Sequence, residues 1–360
     1  MRANMSSQLK KYGWNKHWEA QFKGHREAGF SPGRIIGQER ELFLVATTKG
    51  ERGGVLAGKM RYQEDVRPAV GDWAAFSGEG DDGPVRIEAV LERRSRLARK
   101  EAGLKVRKQV VAANIDVVFL VSSLDADFNL RRLERYLTAV WESGARPVLV
   151  LSKLDAAADP EGMRLAAQTC ASGVPVISLS AKSGAGMDAL GAHMAPGETA
   201  ALVGSSGVGK STLINRMLGR EVQAVGAVRE DDSKGRHVTS SRKIFLLPSG
   251  AMLVDTPGMR ELQLWDDEGE GMVRTFEDIE DLLTRCRFGD CRHDTEPGCA
   301  LTEAFASGEI SEERYQSWRK LKRELEFLRR KKDKAEGANA KKRWKKIFSA
   351  AAARKKIEGL

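Results

Sequence analysis

Residues 204–212 read Gly-Ser-Ser-Gly-Val-Gly-Lys-Ser-Thr, and from Gly204 to Ser211 they fit the spacing G-x-x-x-x-G-K-[ST]. Gly204, Gly207 and Gly209, with Ser205, Ser206 and Val208 between them, form a loop whose N–H groups can converge on phosphate oxygens without Cβ interference. Lys210 is placed to reach β and γ phosphates, and the Ser211 hydroxyl to hold Mg²⁺. The apolar run Ala200–Val203 precedes the loop and STLINRML follows, so a strand feeds a helix whose N-terminus favours an anion. A second cluster lies downstream. Cys286-x₄-Cys291-x-His293-x₅-Cys299 offers three thiolates and one imidazole within fourteen residues, the donor set of a closed, tetrahedral, structural zinc site. Gly289, Asp290, Pro297 and Gly298 suit the tight turns such a site needs. The remaining cysteine, Cys170, reads as core, and no disulfide framework is expected.

A phosphate loop alone does not choose a base. The apolar run ending at Leu151 leads into Ser152-Lys153-Leu154-Asp155. An aspartate at such a strand end can accept from both N1–H and the 2-amino group of guanine, and the lysine stem can cover the base. After Ile177-Ser178-Leu179 comes Ser180-Ala181-Lys182, where the Ala181 N–H can donate to guanine O6. These two segments resemble the [N/T]KxD and SAK guanine-specificity motifs of the GTPase superfamily. Met252-Leu253-Val254 leads to Asp255-Thr256-Pro257-Gly258, with Asp255 expected to hold Mg²⁺ through a water and the Gly258 N–H to meet the γ-phosphate. Thr239 is the candidate threonine that closes on Mg²⁺ with Ser211 and Asp255. The superfamily places its base-reading motifs after the phosphate loop; here they precede it, which predicts a circularly permuted domain. Met259 stands where many GTPases carry a water-positioning glutamine. A thioether cannot orient water, so slow intrinsic hydrolysis is expected, and His237 joins Lys210 and Thr239 as a catalytic candidate.

The elements that must hold these groups follow from composition. The chain has 360 residues, enough for two or three domains, and no apolar run long enough to span a bilayer. Its first thirty residues lack a signal-peptide core, so a cytoplasmic protein without membrane attachment is expected. Residues 319–360 hold 17 Lys and Arg against five Asp and Glu, a net +12, which leaves −2 for residues 1–318 out of the total of +10. Basicity confined to one end points to a polyanionic partner. Residues 1–30, with Trp14, Trp18 and Phe22, are read as an arm of undecided order. Residues 31–97 alternate five short β-like runs with turns and predict an OB-type β-barrel. The segment RRSRLARK, residues 93–100, is expected to reach a phosphate backbone. Residues 98–265 alternate apolar strands and helices and predict the α/β P-loop GTPase domain. Residues 266–330 predict a helical zinc-binding domain and residues 331–360 a basic tail. Because Asp255 lies at the end of the permuted domain, a γ-phosphate that orders Met259–Trp265 is expected to act on the zinc domain.

A barrel, a permuted G domain and a Cys₃His module in this order resemble the ribosome small-subunit-dependent GTPases of the RsgA type, over residues 31–330. The resemblance implies GTP hydrolysis to GDP and phosphate stimulated by the small ribosomal subunit and its 16S-type rRNA. It also implies a monomer acting in late maturation of that subunit and in checking its decoding region. Nucleotide contacts carry over to Ser152–Asp155 and Gly204–Thr212, including Thr212, and zinc ligands to Cys286, Cys291, His293 and Cys299. Ser152 replaces the usual asparagine, and its shorter side chain is expected to lose the tie to the phosphate loop and weaken nucleotide affinity. A non-ribosomal regulatory GTPase, or an RNA-binding scaffold with a vestigial G domain, are the alternatives.

Overall fold

The computed structural model describes residues 7–61, 67–78, 83–100, 108–222, 242–255, 269–293, 296–331 and 333. It divides into two units, residues 1–263 and 264–360. The first unit opens with helices α1 (Ser7–Lys11) and α2 (Lys16–Glu27). The arm read at residues 1–30 therefore includes packed structure. Trp14, Trp18 and Phe22 are buried, and the Trp14 and Trp18 rings lie 4.8 and 6.0 Å from that of Trp73.

Five strands follow: β1 (Ser31–Glu39), β2 (Leu42–Thr47), β3 (Gly50–Leu56), β4 (Trp73–Ser77) and β5 (Val85–Val90), with the short helix α3 (Gly58–Arg61) after β3. Their order is β1-β2-β3-β5-β4, and β4 pairs back to β1, so the barrel closes on itself. The β3–β5 pair is parallel and the others antiparallel. Ile35, Val45, Phe76, Val85 and Ile87 fill its interior. Gly71 brings the chain into β4 against the next segment of the unit, where a Cβ would lie 1.9 Å from the Ala113 carbonyl oxygen. Strands β6 (Arg96–Lys100) and β7 (Lys108–Ala113) form a separate antiparallel pair.

The nucleotide-type domain contributes β8 (Val117–Ser123), α4 (Leu130–Glu142), β9 (Arg146–Ser152), α5 (Pro160–Cys170), β10 (Val176–Ser178), α6 (Asp188–Gly191), β11 (Thr199–Val203), α7 (Lys210–Leu218), β12 (Arg242–Leu246) and β13 (Met252–Asp255). Every residue of β8 and β11 is buried, as a parallel strand covered on both faces requires. The spatial order is β10-β9-β8-β11-β13-β12, with β12 antiparallel. The strand before the phosphate loop, β11, thus sits mid-sheet, while β8, β9 and β10 precede it in sequence. That is the permuted order expected from the motifs. Sequence periodicity did not anticipate β12, a five-residue strand that pairs with β1 at Gly37–Lys243 and Gln38–Arg242. Through it one sheet of eleven strands runs from the α/β layer into the barrel.

Arg34 fastens these parts. It is 2% exposed, and its guanidinium donates to Tyr12 O at 2.5 Å, Gly71 O at 3.2 Å, Asn114 O at 3.3 Å and Thr199 Oγ1 at 2.8 Å. Burial lowers its pKa to about 10, against the pull of Asp116 and Asp72, so it stays charged at neutral pH. Each carbonyl it serves would cost about 1–3 kcal/mol if left buried without a donor.

The second unit contains α8 (Glu270–Thr275), α9 (Glu277–Thr284), α10 (Ala300–Ser307) and α11, residues 312–331. Phe276, Ile279, Leu301, Trp318 and Leu321 form its core. Arg314 of α11 grips both Asp278 oxygens, at 2.6 and 2.9 Å, and lies 5.0 Å from the Phe276 ring centre. Trp318 donates to Glu280 at 2.8 Å. Among the described residues, no helix is long and apolar enough to cross a membrane.

Candidate nucleotide site and metal centre

The sequence-selected residues emerge at the C-terminal ends of four parallel strands: β9, β10, β11 and β13. In an open α/β sheet that edge is where ligands bind. Ser152 ends β9, Lys153 follows in the left-handed region (φ 60°), and Leu154 and Asp155 begin a single 3₁₀ turn. Ser180, Ala181 and Lys182 come two residues after β10. Gly204 to Gly209 link β11 to α7, and Lys210, Ser211 and Thr212 are the first turn of α7. Gly204 is where only a glycine fits: a Cβ there would meet the Val121 carbonyl oxygen at 2.2 Å.

Side chains join these segments. Ser180 Oγ donates to Asp155 Oδ1 at 2.5 Å, and this bond holds the Asp155 carboxyl below its usual range. Arg216, one helical turn and a half along α7, donates to Ala181 O at 3.1 Å and Lys182 O at 3.2 Å. The Lys210 ammonium donates to Gly204 O at 2.7 Å and Ser205 O at 2.5 Å, so it lies over the loop that it follows. The Ser152 hydroxyl has acceptors at Val208 O, 2.7 Å, and Ser122 O, 3.3 Å. Its one proton is best aimed at Val208, inside the phosphate loop. The expected loss of that tie therefore does not occur: the end of β9 lies close enough to the loop for a hydroxyl to reach, and an amide is not needed.

Asp255 ends β13, which pairs in parallel with β11, so it leaves the sheet at the same edge as the phosphate loop. Ser211 and Asp255 supply hard oxygen donors, the type Mg²⁺ selects. His237, Thr239 and Gly258, with Met259, lie outside the described residues. Asp125 and its neighbour Asp127 were not singled out from sequence; Asp125 accepts from Lys153 Nζ at 2.8 Å.

The first residue of RRSRLARK is engaged within the protein. Arg93 donates from Nε and Nη2 to both oxygens of Asp72, whose side chain is fully buried, at 2.8 and 2.7 Å. Leu97 and Ala98 are core residues. Arg93 is thus committed to the barrel; Arg96–Lys100 form β6, and the Arg94 side chain is exposed.

In the second unit, Cys286 follows α9 and Cys299 caps α10, with Cys291 and His293 on the loop between. The four ligand atoms all lie within 4.8 Å of one another. Ligands at zinc bond lengths in a tetrahedron sit about 3.8 Å apart; the His293 Nδ1 distances of 3.5 Å to Cys286 Sγ and 3.7 Å to Cys299 Sγ match that. His293 takes a left-handed backbone (φ 61°) to aim its ring inward. Burial pushes the Cys291 thiol up to about 11. Cys299 is held at about 6: burial opposes its ionisation, and hydrogen bonds from Thr302 and His293 outweigh it. The cluster could bind zinc.

Comparisons with known proteins agree with this geometry. A family model described as RsgA GTPase matches residues 90–265. The chain is 44% identical over 317 residues to the small ribosomal subunit biogenesis GTPase RsgA 1 of Oceanobacillus iheyensis, covering 87% of this chain and 90% of that one. It is 40% identical over 362 residues to RsgA of Opitutus terrae, covering 98% and 99%. The crystal structure of YjeQ from Thermotoga maritima superposes with a TM-score of 0.62 at 27% identity, covering 82% of this chain and 98% of that chain. YloQ, described as a circularly permuted GTPase, shares the fold at 24% identity and a TM-score of 0.58, covering 82% and 95%. With its glycine-rich loop mid-sheet, the Ser152–Asp155 and Ser180–Lys182 segments upstream and its barrel and Cys₃His cluster in place, the chain is a circularly permuted GTP hydrolase that belongs to the RsgA GTPase family.

Proposed function

We propose that this GTPase acts on the small ribosomal subunit in the cytoplasm, as a monomer, and that it leaves the subunit when GTP is hydrolysed. The observation that carries the reading is the near-full-length match to relatives named as small-subunit biogenesis GTPases, 87–98% of this chain at 40–44% identity. The closed barrel and the basic residues 319–360 suit recognition of folded RNA by backbone and shape. Late maturation and checking of the decoding region are the corresponding role.

In the site, Asp155 reads N1–H and the 2-amino group of guanine, Ala181 N–H reads O6, and the Lys153 stem covers the base beside Ser152 and Leu154. Ser180 and Lys182 hold that loop. Backbone N–H groups of Gly204–Thr212 and the Lys210 ammonium hold the phosphates, with Gly258 N–H on the γ-phosphate. Ser211, Thr239 and Asp255 would hold Mg²⁺, which would neutralise charge developing on the phosphates. His237 is the proposed group that orients the attacking water, since Met259 has no hydrogen bond to offer. Cys286, Cys291, His293 and Cys299 would hold one structural zinc. The switch segment Met259–Trp265 follows Asp255 and leads into the second unit, so ordering it on GTP would change how that unit meets the subunit.

Co-sedimentation with purified small subunits tests the partner. More chain should pellet with a non-hydrolysable GTP analogue than with GDP, and rising salt should weaken the complex steeply. Equal retention by large subunits, or none by either, contradicts the proposal.

A further inference from the structure

Residues 124–129 join β8 to α4 and carry no recognised motif, yet they touch both nucleotide-facing loops. Asp127 Oδ2 accepts from the Ser205 hydroxyl at 2.5 Å, inside the phosphate loop. Asp125 Oδ2 accepts from Lys153 at 2.8 Å, in the base-reading loop. The two acids are themselves tied: Asp125 Oδ1 accepts from the Asp127 backbone N–H at 2.9 Å and from Ser123 Oγ at 2.7 Å. One chain of hydrogen bonds therefore runs Lys153, Asp125, Asp127, Ser205.

We propose that Asp127 is a positioning residue for the phosphate loop, and that residues 124–129 brace the two nucleotide-holding loops and slow nucleotide release. The inference rests on the assignment of Gly204–Thr212 to the phosphates. A carboxylate beside a phosphate site is a poor choice on charge alone, because it repels the ligand. Here that charge is offset. Arg132, in the first turn of α4, pairs with Asp127 Oδ2 at 2.8 Å and also donates to the Asp127 carbonyl. Lys153 does the same for Asp125. Burial opposes ionisation of Asp125, but the Lys153 and Ser123 bonds outweigh it and hold its carboxyl at about 2. A bond from a hydroxyl to a carboxylate is stronger and more directional than one to a neutral acceptor. Serine at position 205 provides that anchor; alanine would leave the loop held at its other contacts only. Asn129 caps α4 by accepting from Arg132 N at 3.0 Å, so the brace is continuous with a helix that buries one face.

The test is stopped-flow dissociation of a fluorescent GDP analogue from the full chain. Asp127→Ala and Ser205→Ala should each raise the off-rate about tenfold, the effect of losing one charge-assisted hydrogen bond. The double variant should be no faster than either single one, since both remove the same bond. Asp127→Asn, which keeps an acceptor for Ser205 and is the least disturbing to folding, should fall between wild type and Asp127→Ala. Multiplying effects in the double variant, or unchanged off-rates in variants that melt with wild type, overturn the brace and leave the phosphate-loop assignment standing. Failure of the wild-type chain to bind the analogue overturns both.

Discussion

Replacing Lys210 with alanine is expected to lower kcat/KM for GTP by about a thousandfold, at the upper end of what one preorganised charge on a transferring phosphoryl group supplies. The reasoning is geometric. Lys210 opens α7, and its ammonium lies 2.7 and 2.5 Å from the Gly204 and Ser205 carbonyls, over the concavity those glycines shape. Both of these acceptors belong to the loop itself, so the thermal midpoint should move little. A steady-state assay beside a melting curve separates the two. A variant with wild-type turnover would mean that Gly204–Thr212 is not the phosphate site.

The second large effect is at the metal centre. Cys291→Ser should take the chain from one bound zinc to none and unfold the second unit, while GTP binding by the first unit persists. Zinc in such sites supplies roughly 10–16 kcal/mol of folding free energy, as much as or more than the whole stability of an ordinary domain. The described core of that unit is small, and Cys286 and Cys299 join two short helices of eight residues each, α9 and α10. Helices this short are marginal without tertiary support. Metal analysis together with limited proteolysis gives the answer. Stoichiometric zinc retained by Cys291→Ser would remove that residue from the ligand set.

What sequence conveyed, and what it hid, follows the physics of each element. Strands buried on both faces, such as Val117–Ser123 and Thr199–Val203, are continuous apolar runs and were legible. So were glycine-dependent loops, because close backbone approach leaves no other residue type at Gly204. The strand Arg242–Leu246 was not: it is half-buried, opens on two charged residues before three apolar ones, and owes its place to pairing with β1 and β13. Trp14 and Trp18 showed no partner in their own segment, because the ring they pack against is that of Trp73, more than fifty residues on. Arg93 looked like part of a phosphate-seeking run because its partner, buried Asp72, is twenty-one residues upstream. Ser152 was misjudged by length of side chain, when the distance from the β9 end to Val208 was the deciding quantity. Asp125 and Asp127 read as loop acids until the fold set Lys153 and Ser205 beside them.

On the proposed function, GTP hydrolysis by this chain is governed by the small subunit. The direct measurement is GTP turnover by the purified chain with and without purified small subunits, at fixed salt. Slow turnover alone, raised by at least an order of magnitude with small subunits and left unchanged by large ones, is expected. Turnover indifferent to small subunits contradicts it.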